Sequence, residues 1–188
     1  MSAFEYTSVM SSIIVGLALV DILISLNRLI RAGGGVRWHW AAPATALLIF
    51  LTVIQIWWSI YRPQAAPMTI GQFLPFVVEL VLLFLLAAAA LPDDVPPGGL
   101  DLKLYYQNNS PYLWSLFAAA LGWMLFVEIL GSALMGQPVL AVIEGHLVDL
   151  LVVGLFVALV FVRRLWVHAI ALAFFYVGPL GWLSRSLG

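Results

Sequence analysis

The sequence predicts an all-α polytopic membrane bundle of about six transmembrane helices with short loops. Three observations carry that prediction. Of 188 residues, 64% are hydrophobic and 9% charged, against roughly 25% charged in soluble domains. Mean hydropathy is +1.08. Six apolar stretches, each about 20 residues or more, match the length that a hydrocarbon core of about 30 Å requires.

These stretches are Ser8 to Ile30, Ala41 to Tyr61, Gly71 to Leu91, Tyr112 to Leu134, Pro138 to Val162 and Leu165 to Leu183. Residues 1–188 thus form one integral membrane domain. Helices are expected because barrel strands are about 10 residues long and alternate in polarity. Pro43, Pro75, Pro111 and Pro138 sit near expected helix starts, where a missing N–H is tolerated. Pro179, between Gly178 and Gly181, is expected to kink or end the last helix.

Connections are short except for Pro92 to Pro111. Gly33-Gly34-Gly35 reads as a flexible linker, without the Lys and Ser/Thr of a phosphate-binding loop. The Leu100–Tyr106 stretch reads either as a short interfacial helix or as an ordered surface loop. Trp38, Trp40, Trp57, Trp58, Tyr105, Tyr106, Tyr112, Trp114, Trp166, Tyr176 and Trp182 fall near expected span ends, where amphipathic rings favour the headgroup zone. Trp123, in mid-span, is expected to be a packing residue. His39 and His168 are expected at the interface.

Basic residues orient the chain. The first, third and fifth connections and their flanks hold Arg28, Arg31, Arg37, Lys103, Arg163 and Arg164; the opposite side holds Arg62 and Arg185. Both termini are therefore expected outside the cytoplasm. The first helix lacks the basic leader of a signal peptide and is expected to remain as a span. The chain has no cysteine and no basic run. That excludes thiolate-held metals and disulfides and argues against a nucleic-acid partner.

Ionisable residues inside the spans are the candidate site. Asp21, Glu79, Glu128, Glu144 and Asp149 are carboxylates in apolar stretches, with Gln55 and His146 as further polar groups. A charged residue at mid-bilayer costs about 2.5–3.5 kcal/mol on insertion scales. No Lys or Arg lies deep enough in these stretches to pair with them. At 1.5 Å rise per residue, Gln55, Glu79, Glu128 and Glu144 fall roughly 9–12 Å below the outer boundary, and Asp149 and Asp21 roughly 17–20 Å. Two adjacent polar layers on five helices suggest a hydrated acidic cavity.

His146 and Asp149 are three apart and neighbours on one helix face, while Glu144 points elsewhere. This set does not converge as metal ligands do, so neither a metal nor a cofactor is expected. Ser11, Ala18, Asp21, Ser25 and Arg28 form one small or polar stripe on the first helix. The pair Ser12 and Gly16 suits close helix contact.

Val36-Arg37-Trp38-His39-Trp40, Gln55-Ile56-Trp57-Trp58, Leu91-Pro92-Asp93 and Leu104-Tyr105-Tyr106 resemble the landmarks of an uncharacterised family of small multi-pass bacterial inner-membrane proteins. The resemblance covers the first two-thirds of the chain and implies that location, but no activity. The six-span size is also similar to that of the bacterial relatives of a lysosomal potassium channel family. That family's Phe-Ser-Asp motif is absent from the first helix.

No nucleophile or phosphate-binding motif points to an enzyme. The expected function is a proton or cation channel or transporter, its partners the lipid bilayer, the proton or small cation, and further copies of the chain. The competing readings are a non-transporting scaffold or accessory subunit, whose acids are neutral and structural, and a small-molecule or lipid sensor.

Overall fold

The computed structural model of the chain describes residues 3–60 and 70–183. Tyr61, expected to end the second span, and Arg62 and Arg185, used for orientation, lie outside the described residues. The helices are α1 (Ala3–Arg31), α2 (Ala41–Ile60), α3 (Ile70–Ala88), α4 (Leu102–Leu134), α5 (Val139–Gly145), α6 (Leu147–Phe161), α7 (Leu165–Phe175) and α8 (Val177–Leu183). Two short strands, β1 (Val36–Arg37) and β2 (Leu100–Asp101), complete the fold.

Four helical segments are long and apolar enough to cross a membrane: Ser8–Arg31, Ala41–Ser59, Leu102–Leu134 and Leu165–Trp182. The consecutive helices α5 and α6, bent by 68° at their junction, make a fifth when taken as one span. The apolar part of α3, Phe73–Ala88, is shorter, about 24 Å at 1.5 Å per residue. Four to five spans of sufficient length are therefore present among the described residues, against the six expected.

Helix α1 buries Ser11, Val15, Ala18, Ile22, Ser25 and Leu29, a seam at steps of three and four. It packs on α3 and α2. Small residues in such a seam let backbones approach closely, which matters in lipid because apolar burial alone does not favour helix pairing there. Ser12 lies outside the seam and accepts a hydrogen bond from Trp57 Nε1 at 3.2 Å. Of the expected polar stripe, Asp21 is half-buried and Arg28 exposed.

Helix α4 begins ten residues before the expected Tyr112. Asp101 caps it, its carboxylate accepting from the N–H groups of Lys103 (2.9 Å) and Leu104 (3.2 Å). The helix then runs through Pro111 instead of starting near it. Proline removes the N–H that would bond the carbonyl four residues back, here Gln107. That carbonyl accepts from Arg163 Nη1 at 2.9 Å instead, so the helix continues without an orphaned acceptor.

The last two expected spans are interrupted. α5 ends at Gly145 and α6 begins at Leu147, with His146 capping both. α7 ends at Phe175, the residue whose carbonyl the ring of Pro179 would meet in a continuous helix. The interruption therefore precedes the proline by a turn.

The triple glycine forms a short 3₁₀ turn, not a loose linker, and leads into β1. β1 pairs in parallel with β2, Val36 with Leu100 and Arg37 with Asp101. Gly99 has φ +87°, and a Cβ there would stand 3.0 Å from the Gly35 carbonyl oxygen, so glycine is required at this crossing. Arg37 lies 3.4 Å from Asp101, and Arg28 donates to the Asp93 carbonyl at 2.5 Å. With Lys103 and Arg163, these cations gather at one end of the bundle.

The α4 cap titrates. The Leu104 N–H, followed by the Lys103 N–H and the charges of Arg37 and Lys103, holds the Asp101 carboxyl below its ordinary range. A depressed folded-state pKa stabilises above the unfolded value and ceases to as pH falls through the folded one. Asp101→Ala should lower the melting temperature in detergent at pH 7, and the gap from the unmutated chain should close on acidification below pH 4. A pH-independent gap would show that the carboxylate is not the capping group.

Candidate functional site

Glu79 is the most enclosed of the expected acids. It sits on α3 at 9% exposure, and its Oε2 is buried with no hydrogen-bond partner among the described residues. Glu79 lines a cavity of about 210 Å³, together with Gln55 and Thr52 of α2. Phe117 of α4, Phe156 of α6 and Phe175 of α7 supply aromatic lining to the same cavity. The Phe117 and Phe156 rings stack at 5.0 Å, and Phe156 meets Phe175 at 4.6 Å. Among the described residues, no Lys, Arg or His lines the cavity. An ionised carboxylate here needs a proton or an incoming cation to offset its desolvation.

The surrounding backbone fixes this carboxyl. Trp123 Nε1 donates to the Pro75 carbonyl at 2.8 Å, one turn before Glu79, and so pins α3 to α4. Trp123 is thus more than a packing residue. At the other end of the same helix pair, Asn109 Nδ2 donates to the Ala89 carbonyl at 2.6 Å. Two ties at opposite ends set the antiparallel register of α3 and α4.

A second cluster lies at the break between α5 and α6. His146 Nε2 is 3.2 Å from Glu128 Oε1, and His146 Nδ1 is 3.1 Å from Asp149 Oδ2. Glu128 comes from α4, one turn beyond Met124, which lines the Glu79 cavity. Glu128 and His146 also line a second, more open cavity of about 340 Å³, with Ser132 and Gln137. Imidazolium donates from both nitrogens, whereas neutral imidazole donates from one and accepts at the other. An imidazole between two carboxyl groups can therefore pass a proton from one to the other. The side chains of Glu128 and Asp149 are about half exposed, at 51% and 47%.

The expected polar layers thus divide. Gln55 joins Glu79, and Glu128 joins His146 and Asp149. Asp21, near Arg28 and Asp93, lines neither cavity. Neither does Glu144, which is exposed on α5. No group of three or more His, Cys, Asp or Glu is arranged to hold a metal ion among the described residues.

One polar cluster escaped the sequence reading. Trp114 is fully buried and His168 is 1% exposed; both were expected near the interface. His168 Nε2 lies 2.8 Å from the Val162 carbonyl, which places the ring proton on Nε2. Nδ1 then accepts from Tyr106 Oη at 2.8 Å and Trp114 Nε1 at 3.0 Å. Every polar atom of the imidazole is satisfied, so this network joins α4, α6 and α7 as structure. The buried series Leu102, Tyr106, Ser110, Leu113, Phe117 was the available signal: it continues the α4 face upstream of Pro111 at helical spacing.

No family model, curated protein or solved structure matches the chain.

Proposed function

We propose that the chain is a proton-conducting integral membrane protein, with Glu79 as the carrier acid and Glu128, His146 and Asp149 as a relay at the broken helix. Six crossings fit this reading, with α3 as the short third and the basic end of the bundle on the cytoplasmic side of a bacterial inner membrane. The observation that carries it is a Glu79 carboxyl with one buried oxygen lacking a partner among the described residues, on a residue that lines a cavity. A structural acid in an apolar setting is normally bonded, whereas intramembrane acids of pumps and transporters commonly mark an ion path. Broken helices lining cavities support it, since such backbone is tolerated at membrane depth where it serves a site. One carboxyl, one carboxamide and one hydroxyl suit a proton better than a hard divalent cation, which takes six or more oxygens.

The test is proton uptake into liposomes holding a trapped pH dye, driven by a potassium diffusion potential. The unmutated chain should acidify the lumen, and Glu79→Gln should slow uptake at least tenfold. Equal rates for the two proteins would end the proposal. The half-exposed Glu128 and Asp149 also favour a homo-oligomer, because carboxyl groups within apolar spans need polar company. Single-step photobleaching of labelled particles would refute assembly.

A further inference from the structure

The Glu79 cavity has the chemistry of an organic-cation site. Its wall from α2 and α3 carries the Thr52 hydroxyl, the Gln55 carboxamide and the Glu79 carboxyl. The hydroxyl already donates to the Leu48 carbonyl, whereas the carboxyl keeps a buried oxygen with no hydrogen-bond partner among the described residues. The rest of the lining is apolar and includes the aromatic rings of Phe117, Phe156 and Phe175. Ligand pockets combine apolar walls with a few placed polar groups in this way. Aromatic rings also attract ammonium groups, by about 0.5–2 kcal/mol.

Volume narrows the ligand. An engineered apolar cavity of about 150 Å³ takes up benzene. The present cavity, at about 210 Å³, has room for one ring and a short arm.

Resting on the reading of Glu79 as an exchanging acid, we propose that this cavity binds a small arylalkyl amine, its ammonium on Glu79 and its ring against the three phenylalanines. The exchange balances. Glu79 as the neutral acid gives its proton to water when the ammonium arrives and takes one back when the amine leaves. No electron moves, and no covalent bond other than O–H forms or breaks. Proton and amine would then compete for one carboxylate, which is the elementary requirement for coupling their movements in opposite directions.

The probes are 2-phenylethylamine, protonated at neutral pH, and n-propylbenzene, its uncharged counterpart of the same shape. Binding is read by calorimetry on the full chain in lipid nanodiscs, with protein-free nanodiscs subtracted. Glu79→Gln should weaken the amine at least tenfold and change propylbenzene by less than twofold. Retained propylbenzene binding shows that the variant keeps its cavity. An amine affinity that Glu79→Gln leaves unchanged would overturn the assignment. So would absence of amine binding in a chain that still shows Glu79-dependent proton uptake, which would leave the proton reading standing. Glu79-dependent amine binding without any proton uptake would support the site and remove the proton reading instead.

Discussion

Glu79→Met should make the chain more stable and, at the same time, unable to conduct protons. Methionine has nearly the length of glutamate and fills irregular apolar space. The substitution removes a buried oxygen without a partner, and an unsatisfied buried group of this kind costs about 1–3 kcal/mol. A gain of about that size is expected, read as a higher melting temperature in detergent, with proton uptake reduced to the protein-free leak. The opposite result has a clear meaning. Were the carboxyl a structural element, bonded in the folded state, methionine would destabilise the bundle, and the transport proposal would lose its central residue. Stability and activity moving in opposite directions is the signature of an acid kept for its chemistry.

Trp114→Ala should be the most damaging single change to the fold, by about 3 kcal/mol. Truncating a buried tryptophan in a soluble core costs about 3–5 kcal/mol. Part of that is transfer from water, a contribution weakened where lipid replaces water around the helices. The packing part remains, and here it is large: the indole stacks on Phe117 at 5.3 Å and Phe156 at 5.8 Å and meets Phe175 at 5.8 Å. Its N–H also bonds His168. Trp114→Phe separates the two contributions, since it keeps a ring and deletes the donor; a loss of about 1 kcal/mol is expected for one hydrogen bond. Denaturant titration in mixed micelles measures both. A Trp114→Ala protein as stable as the unmutated chain would show that this buried cluster does not hold α4, α6 and α7 together.

The helical class was legible because composition and span length are properties of residue type alone. Helix boundaries were less so where one long-range contact decided them. Pro111 marks a helix start by local rules; Arg163, 52 positions downstream, satisfies the carbonyl that the proline would otherwise leave open, and no local pattern announces that pairing. His168 was assigned to the interface from its place near a span end, yet its ring is buried because Tyr106 and Trp114 reach it from another helix. The candidate acids were readable from the cost of placing carboxylates in oil. Counting depth along each helix could not separate them into two clusters, since depth says nothing about the direction a side chain takes around its helix. The junction at His146 was also invisible to a search for prolines, the nearest of which is Pro138 at the start of α5.

The clamp between Arg163 and the Gln107 carbonyl has a mechanical consequence. A proline inside a helix ordinarily leaves a kink and an open carbonyl; here Arg163 bonds that carbonyl from outside, and α4 runs on as one helix from Leu102 to Leu134. From Pro111 to its far end it measures about 35 Å at 1.5 Å per residue, and a pivot of about 5° at the braced point would sweep the Leu134 end through about 3 Å by that length. Glu128 rides near the moving tip and the indole of Trp114 near the fulcrum. By that geometry, a tilt of α4 at its Arg163 end would displace the Glu128 end most, by a distance comparable to the reach of a hydrogen bond.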